Sequence, residues 1–335
     1  MNYFKNNKIA IVGSGYWGNN IAKTLISLKV KNIFIFDNNL ASLKAIKKRF
    51  SQINVVKDFN LILKDKNIDI VFVCTPTSKH FFYGKKLLQA KKNVFIEKPM
   101  SANTKMIKEL IEISDKQKLK LMGGYIYIYN DYIDYIKKVL LKKNLGKIKY
   151  IEFNRKNYGP VRKDVSSLWD LASHDISILK YLFNKNISKK AINVNYNNLL
   201  NKKISDLCSL NFKIHPIHVS INVSWIHPEK VREILIIGEK KILYFDELNQ
   251  INPVKIYKFN KKYPTTDFFS SKDLAPQKKI LIKKPFCPKF KKVSPLKKEI
   301  ETFIKSVRNN LKIKTDGNFS LDVAKDISIF SKKFS

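Results

Sequence analysis

Short apolar runs alternate with helical patterns over the first third of the chain. The apolar runs lie at residues 8–12, 32–37, 53–56, 68–74 and 93–98. Segments with apolar positions at helical spacing follow most of these runs. Continuous apolar strands separated by helices are typical of a parallel sheet that is covered on both faces. The pattern therefore predicts an α/β fold, with a doubly wound parallel sheet over residues 1–122.

The pattern changes in the second part of the chain. A helical segment at 166–183 is followed by a series of strand-like segments between residues 191 and 259. Apolar and polar residues alternate in "HVSINVSW", as expected of an antiparallel sheet with one covered face. We therefore predict a second α/β domain over residues 123–313, with a large and mostly antiparallel open sheet.

Two further helical patterns close the chain, at residues 295–311 and 320–334. Before them, residues 260–295 are rich in lysine and proline and are typical of a long connection. We expect the last segment, residues 314–335, to form a helix that packs back near the first domain.

The chain is strongly basic, but its charge is spread along the whole sequence. Its 335 residues carry a formal net charge of +38 at pH 7, almost all of it from lysine. Base-reading and phosphate-clamping sites usually favour arginine. The only arginines are Arg49, Arg155, Arg162, Arg232 and Arg308. We therefore interpret the charge as a compositional bias and expect no specific nucleic-acid partner.

The cysteines and the N-terminal segment indicate the cellular compartment in which the protein is expected. Cys74, Cys208 and Cys287 lie far apart, and no cysteine or histidine shows metal-ligand spacing. We therefore expect neither a disulfide framework nor a metal site. The sequence also shows no signal-peptide pattern and no apolar run that approaches a membrane span. A cytoplasmic protein without a membrane partner is the expectation.

A glycine motif, "GSGYWG" at 13–18, follows the first predicted strand and opens the first predicted helix. Gly13 allows a tight turn, Gly15 lets the backbone approach a pyrophosphate, and Gly18 lets the helix pack closely on the sheet. The helix N-terminus offers free N–H groups to phosphates. Asp37 ends the next strand, where an acid binds ribose hydroxyls and repels a 2′-phosphate, which favours NAD over NADP. The alternative is a glycine turn without a ligand.

Two more motifs follow predicted strands on the same side of the sheet. "CTPTSKH" begins at Cys74, and "EKP" covers residues 97–99. Ligands of doubly wound sheets bind outside the carboxyl ends of the strands. Lys98 is the candidate group that polarises or protonates a substrate oxygen. Beyond the glycines and the acid, the expected cofactor contacts are Tyr16, Trp17, Thr75, Pro76, His80 and Glu97.

The predicted helix at 166–183 carries an acid and a histidine four residues apart. Asp170 and His174 therefore share one helix face. A carboxylate beside an imidazole can orient it and stabilise its charged form. The alternative is a helix cap next to a structural histidine. Because this helix lies in the predicted second domain, the two residues must meet the cofactor across a cleft between the domains.

Together these motifs resemble the Gfo/Idh/MocA family of NAD(P)-dependent oxidoreductases. The resemblance rests on the glycine motif, "TPTSKH", "EKP", the D-x-x-x-H at 170–174, and the late "PLKKEIETFI" and "TDG". It implies an N-terminal Rossmann domain and a C-terminal α/β domain whose open sheet often forms the oligomer interface, so we expect a homodimer or homotetramer. It also implies hydride transfer between a sugar-type alcohol and nicotinamide.

The resemblance also implies roles for individual residues. The family's catalytic lysine corresponds to Lys98, and its Asp and His correspond to Asp170 and His174. The family often shows D-x-G-x-H, whereas the intervening residues here are Leu-Ala-Ser. A cis peptide bond before Pro99 is also implied. Which of Lys98 and His174 is the principal acid or base is left open.

The substrate class is a finer prediction. Segments "SLWDLASHDISIL" and "SWIHPEKVREILIIGEKKILYFDEL" are similar to family members that act on nucleotide-activated sugars in surface-polysaccharide and antibiotic-sugar pathways. Such a substrate needs an anion clamp, for which Arg155, Arg162 and Arg232 are candidates. We expect substrate contacts from Lys98, Tyr127, Arg155, Arg162 and His174. The alternatives are a free-sugar or inositol dehydrogenase and a non-catalytic dinucleotide-binding regulator.

Overall fold

The chain divides into two compact units in the computed structural model, which describes residues 7–162, 164–200, 204–258, 284–291 and 293–331. The first unit comprises Met1–Asn130, Arg162–Tyr181 and Lys292–Ser335. The second comprises Asp131–Val161 and Leu182–Lys291. Most of the predicted connection at 260–295 lies outside the described residues.

The first unit is built on a six-stranded sheet whose paired strands are all parallel. Its strands are β1 (Lys8–Val12), β2 (Asn32–Phe36), β3 (Asn54–Val56), β4 (Ile68–Val73), β5 (Asn93–Glu97) and β6 (Leu121–Gly124). They lie in the order β3-β2-β1-β4-β5-β6. This order reverses direction between β1 and β4, and ligands of such sheets bind at that switch point. The predicted doubly wound parallel sheet is thereby confirmed.

Helices alternate with these strands. They are α1 (Tyr16–Ser27), α2 (Leu40–Arg49), α3 (Phe59–Lys64), α4 (Thr77–Gln89) and α5 (Thr104–Lys116). Several begin at side-chain caps, as where the Asn39 side chain accepts a hydrogen bond from the Ser42 N–H. Strand residues such as Ile9, Ala10 and Ile11 have no exposed surface, which explains why the strands are continuous apolar runs.

Three later helices complete the first unit. After a π-helical turn (Leu168–Ala172) come α7 (Ser173–Phe183), α8 (Pro295–Asn309) and α9 (Gly317–Ser331), and a 3₁₀ turn (Ile126–Tyr129) follows β6. Phe303 of α8 contacts the rings of Phe72 and Phe95 on the sheet, and α9 packs against α5 and β6. Segments 162–181 and 292–313 thus fold with the first unit, although they lie within the 123–313 span of the predicted second domain.

The second unit carries a mixed seven-stranded sheet in the order β13-β12-β11-β7-β10-β9-β8. Its elements are α6 (Asp131–Leu141), β7 (Ile148–Tyr158), β8 (Ser188–Asn197), β9 (Leu207–Ile214), β10 (Ile217–Ser224), β11 (Ile226–Gly238), β12 (Lys241–Asp246) and β13 (Val254–Lys258). Among the strand pairs of this second sheet in the described residues, β7 and β10 run parallel and the others run antiparallel. The predicted mostly antiparallel sheet is confirmed.

No helix in the described part of the chain is long and apolar enough to cross a membrane. Within the same residues, no group of three or more His, Cys, Asp or Glu side chains could hold a metal ion.

Candidate active site

The glycine motif forms the turn between β1 and α1. Gly13 has a φ of +102°, and a Cβ there would lie 2.8 Å from the carbonyl carbon and oxygen of Cys74. A Cβ on Gly18 would lie 2.0 Å from the Gly13 oxygen. A Cβ on Gly15 would meet no atom within 4 Å. Gly13 and Gly18 are therefore required by the protein itself, whereas the space over Gly15 fits a ligand.

The start of α1 is suited to an anion. Gly15 occupies the N-cap position and supplies no side-chain cap, so the first N–H groups of the helix are available to a phosphate. The Asn19 side chain donates hydrogen bonds to the carbonyl oxygens of Ser14 (2.7 Å) and Gly15 (3.0 Å), which fixes the loop. Tyr16 is 78% exposed at this helix end and contacts Trp17 edge to face.

Asp37, which follows β2, is held against the glycine loop. Its Oδ2 accepts hydrogen bonds from the backbone N–H (2.7 Å) and the hydroxyl (2.8 Å) of Ser14. Its Oδ1 accepts one from the Asn39 N–H at 2.8 Å. The carboxylate therefore lies beside the phosphate cradle at the end of the second strand, where it would accept hydrogen bonds from the ribose hydroxyls of a dinucleotide.

The loop between β4 and α4 offers two buried hydroxyls. Oγ1 of Thr75 and Oγ1 of Thr77 are buried and have no hydrogen-bond partner among the described residues. Buried hydroxyls are normally hydrogen-bonded, so both atoms fit contacts to a bound molecule. Together with the space over Gly15 and the position of Asp37, these atoms show that the residues present fit a nicotinamide dinucleotide.

His80 connects two loops at this edge of the sheet, and its predicted cofactor contact stays a prediction. Its Nδ1 lies 2.9 Å from the Pro99 carbonyl oxygen, and its Nε2 lies 2.7 Å from that of Thr75. Burial lowers the pKa of this imidazole, although the two carbonyl contacts oppose that effect. Because both ring nitrogens are engaged by backbone, His80 ties the end of β4 to the segment after β5.

Lys98 meets Asp170 although 72 residues separate them. The Lys98 ammonium donates to the Asp170 carbonyl oxygen (2.7 Å) and to its Oδ1 (3.1 Å). Lys98 is only 8% exposed, and its bond to Pro99 is cis, as the family resemblance implies. Asp170 lies in the π-helical turn before α7, which belongs to the same compact unit as β5. The ion pair therefore forms within the first unit, not across the predicted domain cleft.

Arg162 and Asp164 extend this ion pair. The Arg162 guanidinium donates to both carboxylate oxygens of Asp164 (3.0 and 2.9 Å) and to Oδ1 of Asp170 (3.3 Å). Asp164 also accepts a hydrogen bond from the Thr77 N–H at the start of α4 (3.2 Å). Burial acts to raise the pKa of Asp164, but its hydrogen bonds and charge contact with Arg162 outweigh this and lower it. Asp164 could not be predicted from the sequence, since a single acid in "RKDVSS" carries no spacing signal.

His174 and Tyr127 also come together in the first unit. Their ring centroids lie 5.1 Å apart in an edge-to-face arrangement. His174 is half-buried on α7, one helical turn beyond Asp170, and Tyr127 is in the 3₁₀ turn after β6. The first unit thus holds a lysine ammonium, a carboxylate and an imidazole, which is the chemistry needed to move a proton at an alcohol or ketone oxygen.

The other candidate anion-binding arginines lie in the second unit. Arg155 is buried on β7. Arg232 on β11 donates to the Lys156 carbonyl oxygen (2.7 Å) and to Oδ1 of Asn157 (2.6 Å). The guanidinium groups of Arg162 and Arg232 are therefore both engaged by protein oxygens.

Residues 7–125 match the family model of Gfo/Idh/MocA, an oxidoreductase family with an NAD-binding Rossmann fold. Over these residues the chain is similar to the Gfo/Idh/MocA family. The match spans the glycine motif, Asp37 and the "EKP" motif. It confirms the resemblance and the α/β fold class that the sequence predicts.

Relatives in sequence align over part of their length. Myo-inositol 2-dehydrogenase of Thermotoga maritima is 23% identical over 188 residues, which are 54% of this chain and 56% of the relative. UDP-N-acetylglucosamine 3-dehydrogenase of Acidithiobacillus ferrooxidans is 30% identical over 112 residues, which are 33% of this chain and 34% of the relative. The chain spans between 32% and 56% of the length of the first curated relatives it matches.

Solved structures of dehydrogenases align over nearly the whole chain. The Acidithiobacillus ferrooxidans UDP-N-acetylglucosamine 3-dehydrogenase, GnnA, superimposes with a TM-score of 0.79 at 19% identity, covering 96% of each chain. The WlbA dehydrogenase of Bordetella pertussis, in complex with NADH and UDP-GlcNAcA, has a TM-score of 0.76 at 17% identity, covering 98% of this chain and 96% of WlbA. These likenesses show that the whole chain shares this fold.

Proposed function

We propose that the chain is an NAD-dependent oxidoreductase that transfers a hydride between nicotinamide and a hydroxyl or ketone of a sugar, and that the sugar is nucleotide-activated. The observation that carries the proposal is the Lys98–Asp170 ion pair within the unit that also holds the glycine loop. A non-catalytic regulator would not need a lysine held by a carboxylate on the ligand side of the sheet.

In the proposed mechanism, His174, Lys98 and Asp170 have separate roles. Bound NAD supplies the hydride acceptor at its nicotinamide. In the oxidation direction, His174 accepts the proton of the reacting hydroxyl. The Lys98 ammonium donates a hydrogen bond to the same oxygen and stabilises its developing negative charge. Asp170 keeps Lys98 in place through the 3.1 Å contact. The exchange of roles between Lys98 and His174 is the mechanistic alternative.

The preference for NAD over NADP rests on Asp37. The carboxylate is fixed by three hydrogen bonds, so it cannot swing away without losing them. A 2′-phosphate brought against a fixed carboxylate would meet like-charge repulsion. NADP is therefore the disfavoured cofactor.

Two substrate classes compete within the proposed activity. Nucleotide-sugars are favoured by the UDP-N-acetylglucosamine 3-dehydrogenase among the relatives and by the sequence segments that contain Arg232 and the catalytic helix. Free polyols are the second candidate, because the myo-inositol 2-dehydrogenase aligns over a longer part of the chain.

A substrate screen tests the proposal. The purified chain is incubated with NAD and, in parallel, with UDP-N-acetylglucosamine, UDP-glucose, glucose 6-phosphate, glucose and myo-inositol, and NADH formation is followed by fluorescence. Turnover with a UDP-sugar well above that with the free sugars supports the proposal. Turnover confined to myo-inositol or free glucose would replace it with the second candidate. If the chain binds NADH in a fluorescence titration but oxidises none of these compounds, a regulator would be favoured.

A further inference from the structure

Two buried carboxyl groups lie next to the proposed site and have no part in the mechanism above. Glu97, the last residue of β5, is 6% exposed, and Glu299 of α8 is 1% exposed. Oε1 of Glu299 is buried without a hydrogen-bond partner among the described residues. Burying an ionised carboxylate without a matching cation is so unfavourable that the group normally takes up a proton.

The packing of α8 on the sheet makes the two carboxyl groups neighbours. Phe303 of α8 contacts Phe95 of β5, with ring centroids 5.9 Å apart. Glu97 lies two residues beyond Phe95 on the same strand face, about 6.6 Å along the strand. Glu299 lies four residues before Phe303 on the same helix face, about 6 Å along the helix. The contact between Phe95 and Phe303 therefore brings Glu97 and Glu299 to neighbouring positions, and the charge of Glu97 raises the pKa of Glu299.

The surroundings of the pair favour uncharged acids. Burial raises the pKa of Glu97 to about 7, against the opposing effect of Lys98, and burial together with Glu97 raises that of Glu299 well above its ordinary value. Burial and the charge of Glu97 raise the pKa of the Cys74 thiol, and burial raises that of the Tyr129 phenol with a smaller contribution from Glu299, so both neighbours of the pair are neutral at pH 7. Gly124 opposite Glu97 leaves room for the acid, since a Cβ there would lie 3.0 Å from Oε2.

Lys98 has two acidic neighbours that interact with it in different ways, and its charge lowers the pKa of one of them, Glu97. Glu97 Oε2 accepts a hydrogen bond from the Lys98 backbone N–H (3.3 Å), whereas Asp170 accepts the hydrogen bonds of the ammonium. An ionised Glu97 would compete with Asp170 for that ammonium and draw it into the sheet. A protonated Glu97 does not compete.

We propose that below neutral pH Glu97 and Glu299 are held as uncharged acids and that this keeps the Lys98 ammonium on Asp170, so that Glu97 is a positioning residue for Lys98. The inference about Lys98 rests on the proposed function. The protonation of the pair does not rest on it, because it follows from burial and packing alone.

The protonated pair is tested without substrate. The variants are Glu97→Gln/Glu299→Gln and, as a control on the same helix, Glu301→Gln, whose partly exposed carboxylate pairs with Lys305 at 3.3 Å. A raised carboxyl pKa means that the folded state loses stability as pH rises from about 4.5 through about 7. The double variant should therefore melt roughly 5 °C above the wild type at pH 8 and close to it at pH 5. Glu301→Gln should show no such difference.

Infrared spectroscopy gives a second readout. Wild-type protein at pH 6 should show more carboxylic-acid C=O absorption than the double variant, in which the absorption of Asp326 remains. Unchanged absorption together with an unchanged pH dependence of melting would overturn the protonated pair, whatever the protein's activity.

The positioning role is tested with the substrate found in the screen. Glu97→Ala should lower kcat at pH 6.5 at least tenfold, and Glu97→Gln, which imitates the uncharged acid, should restore most of that loss. The wild-type kcat should carry an ionisation near pH 7 that Glu97→Gln lacks. Equal kcat values for the Ala and Gln variants, with the wild-type pH profile retained, would overturn the positioning role. If no alcohol is oxidised, the proposed function fails, and with it the role at Lys98, while the two readouts above still decide the protonation.

Discussion

Gly15→Ala is the sharpest test of the dinucleotide cradle, because the structure separates the effect on folding from the effect on binding. The Gly15 backbone has φ −68° and ψ −162°, which alanine adopts without strain. The new methyl group would meet no protein atom within 4 Å. We therefore expect a free energy of unfolding within about 1 kcal/mol of the wild type, because the reduced entropy of the unfolded chain and the preference for glycine over alanine at an N-cap oppose each other.

Cofactor binding should respond differently. The methyl group would occupy the space through which the pyrophosphate approaches the backbone, and overpacking of this kind costs about 1–3 kcal/mol. The NADH dissociation constant should rise roughly 5- to 150-fold, since about 1.4 kcal/mol corresponds to a factor of ten. The assay is a fluorescence titration with NADH, with urea unfolding of the same preparations.

Gly18→Ala is the matched comparison. Its Cβ would lie 2.0 Å from the Gly13 carbonyl oxygen, so the start of α1 must move away from β1. We expect this variant to lose stability as well as NADH binding. If Gly15→Ala bound NADH as tightly as the wild type, the phosphates would not pass over Gly15, and the cradle as described would be wrong.

Three further variants test separate parts of the account. Asp37→Ser removes the fixed carboxylate, so the ratio of NADP to NAD affinity should rise at least tenfold in fluorescence titrations; an unchanged ratio would remove Asp37 from cofactor selection. Asp326→Asn should stabilise the chain at pH 8 but not at pH 4, because burial raises the pKa of this acid to about 6 and its contribution to stability is lost as pH rises through that value. The same difference in melting temperature between variant and wild type at both pH values would contradict this prediction. Phe303→Ala deletes a fully buried ring between α8 and the sheet and should cost about 3–5 kcal/mol in urea unfolding, so a loss below 1 kcal/mol would show that the contact is dispensable.

The elements of the first sheet could be predicted because most of its strands are buried on both faces, the short edge strand β3 being the exception. Continuous apolar runs such as "IVFV" in β4 leave little ambiguity, and the glycine and "EKP" motifs mark the strand ends. In contrast, β7 went unpredicted, although it lies inside the second sheet. It carries charged residues at several positions, and one of them, Arg155, is buried, so its composition resembles the lysine-rich loops around it.

The site was predicted as a set of residues but not as a set of contacts. Spacing indicated that Asp170 and His174 share a helix face, and the strand ends indicated Lys98. Lys98 and Arg162 both donate hydrogen bonds to Oδ1 of Asp170. These contacts form because residues 162–181 return to the first unit and fold with it. No local pattern encodes such a return, because it is decided by which apolar faces pack together. The Glu97–Glu299 pair depends in the same way on α8 packing against β5.

In the proposed mechanism, Lys98 acts on the reacting oxygen rather than on the cofactor. Its most direct test is the rate of hydride transfer in a single turnover, measured as NADH formation on mixing enzyme and NAD with the substrate from the screen, for the wild type and Lys98→Met. Methionine approximates the buried length of the lysine side chain but cannot donate a hydrogen bond. We predict a rate lower by a factor of about 10² or more, with the NADH dissociation constant within twofold of the wild type. A Lys98→Met rate within fivefold of the wild type, with NADH binding intact, would contradict the account.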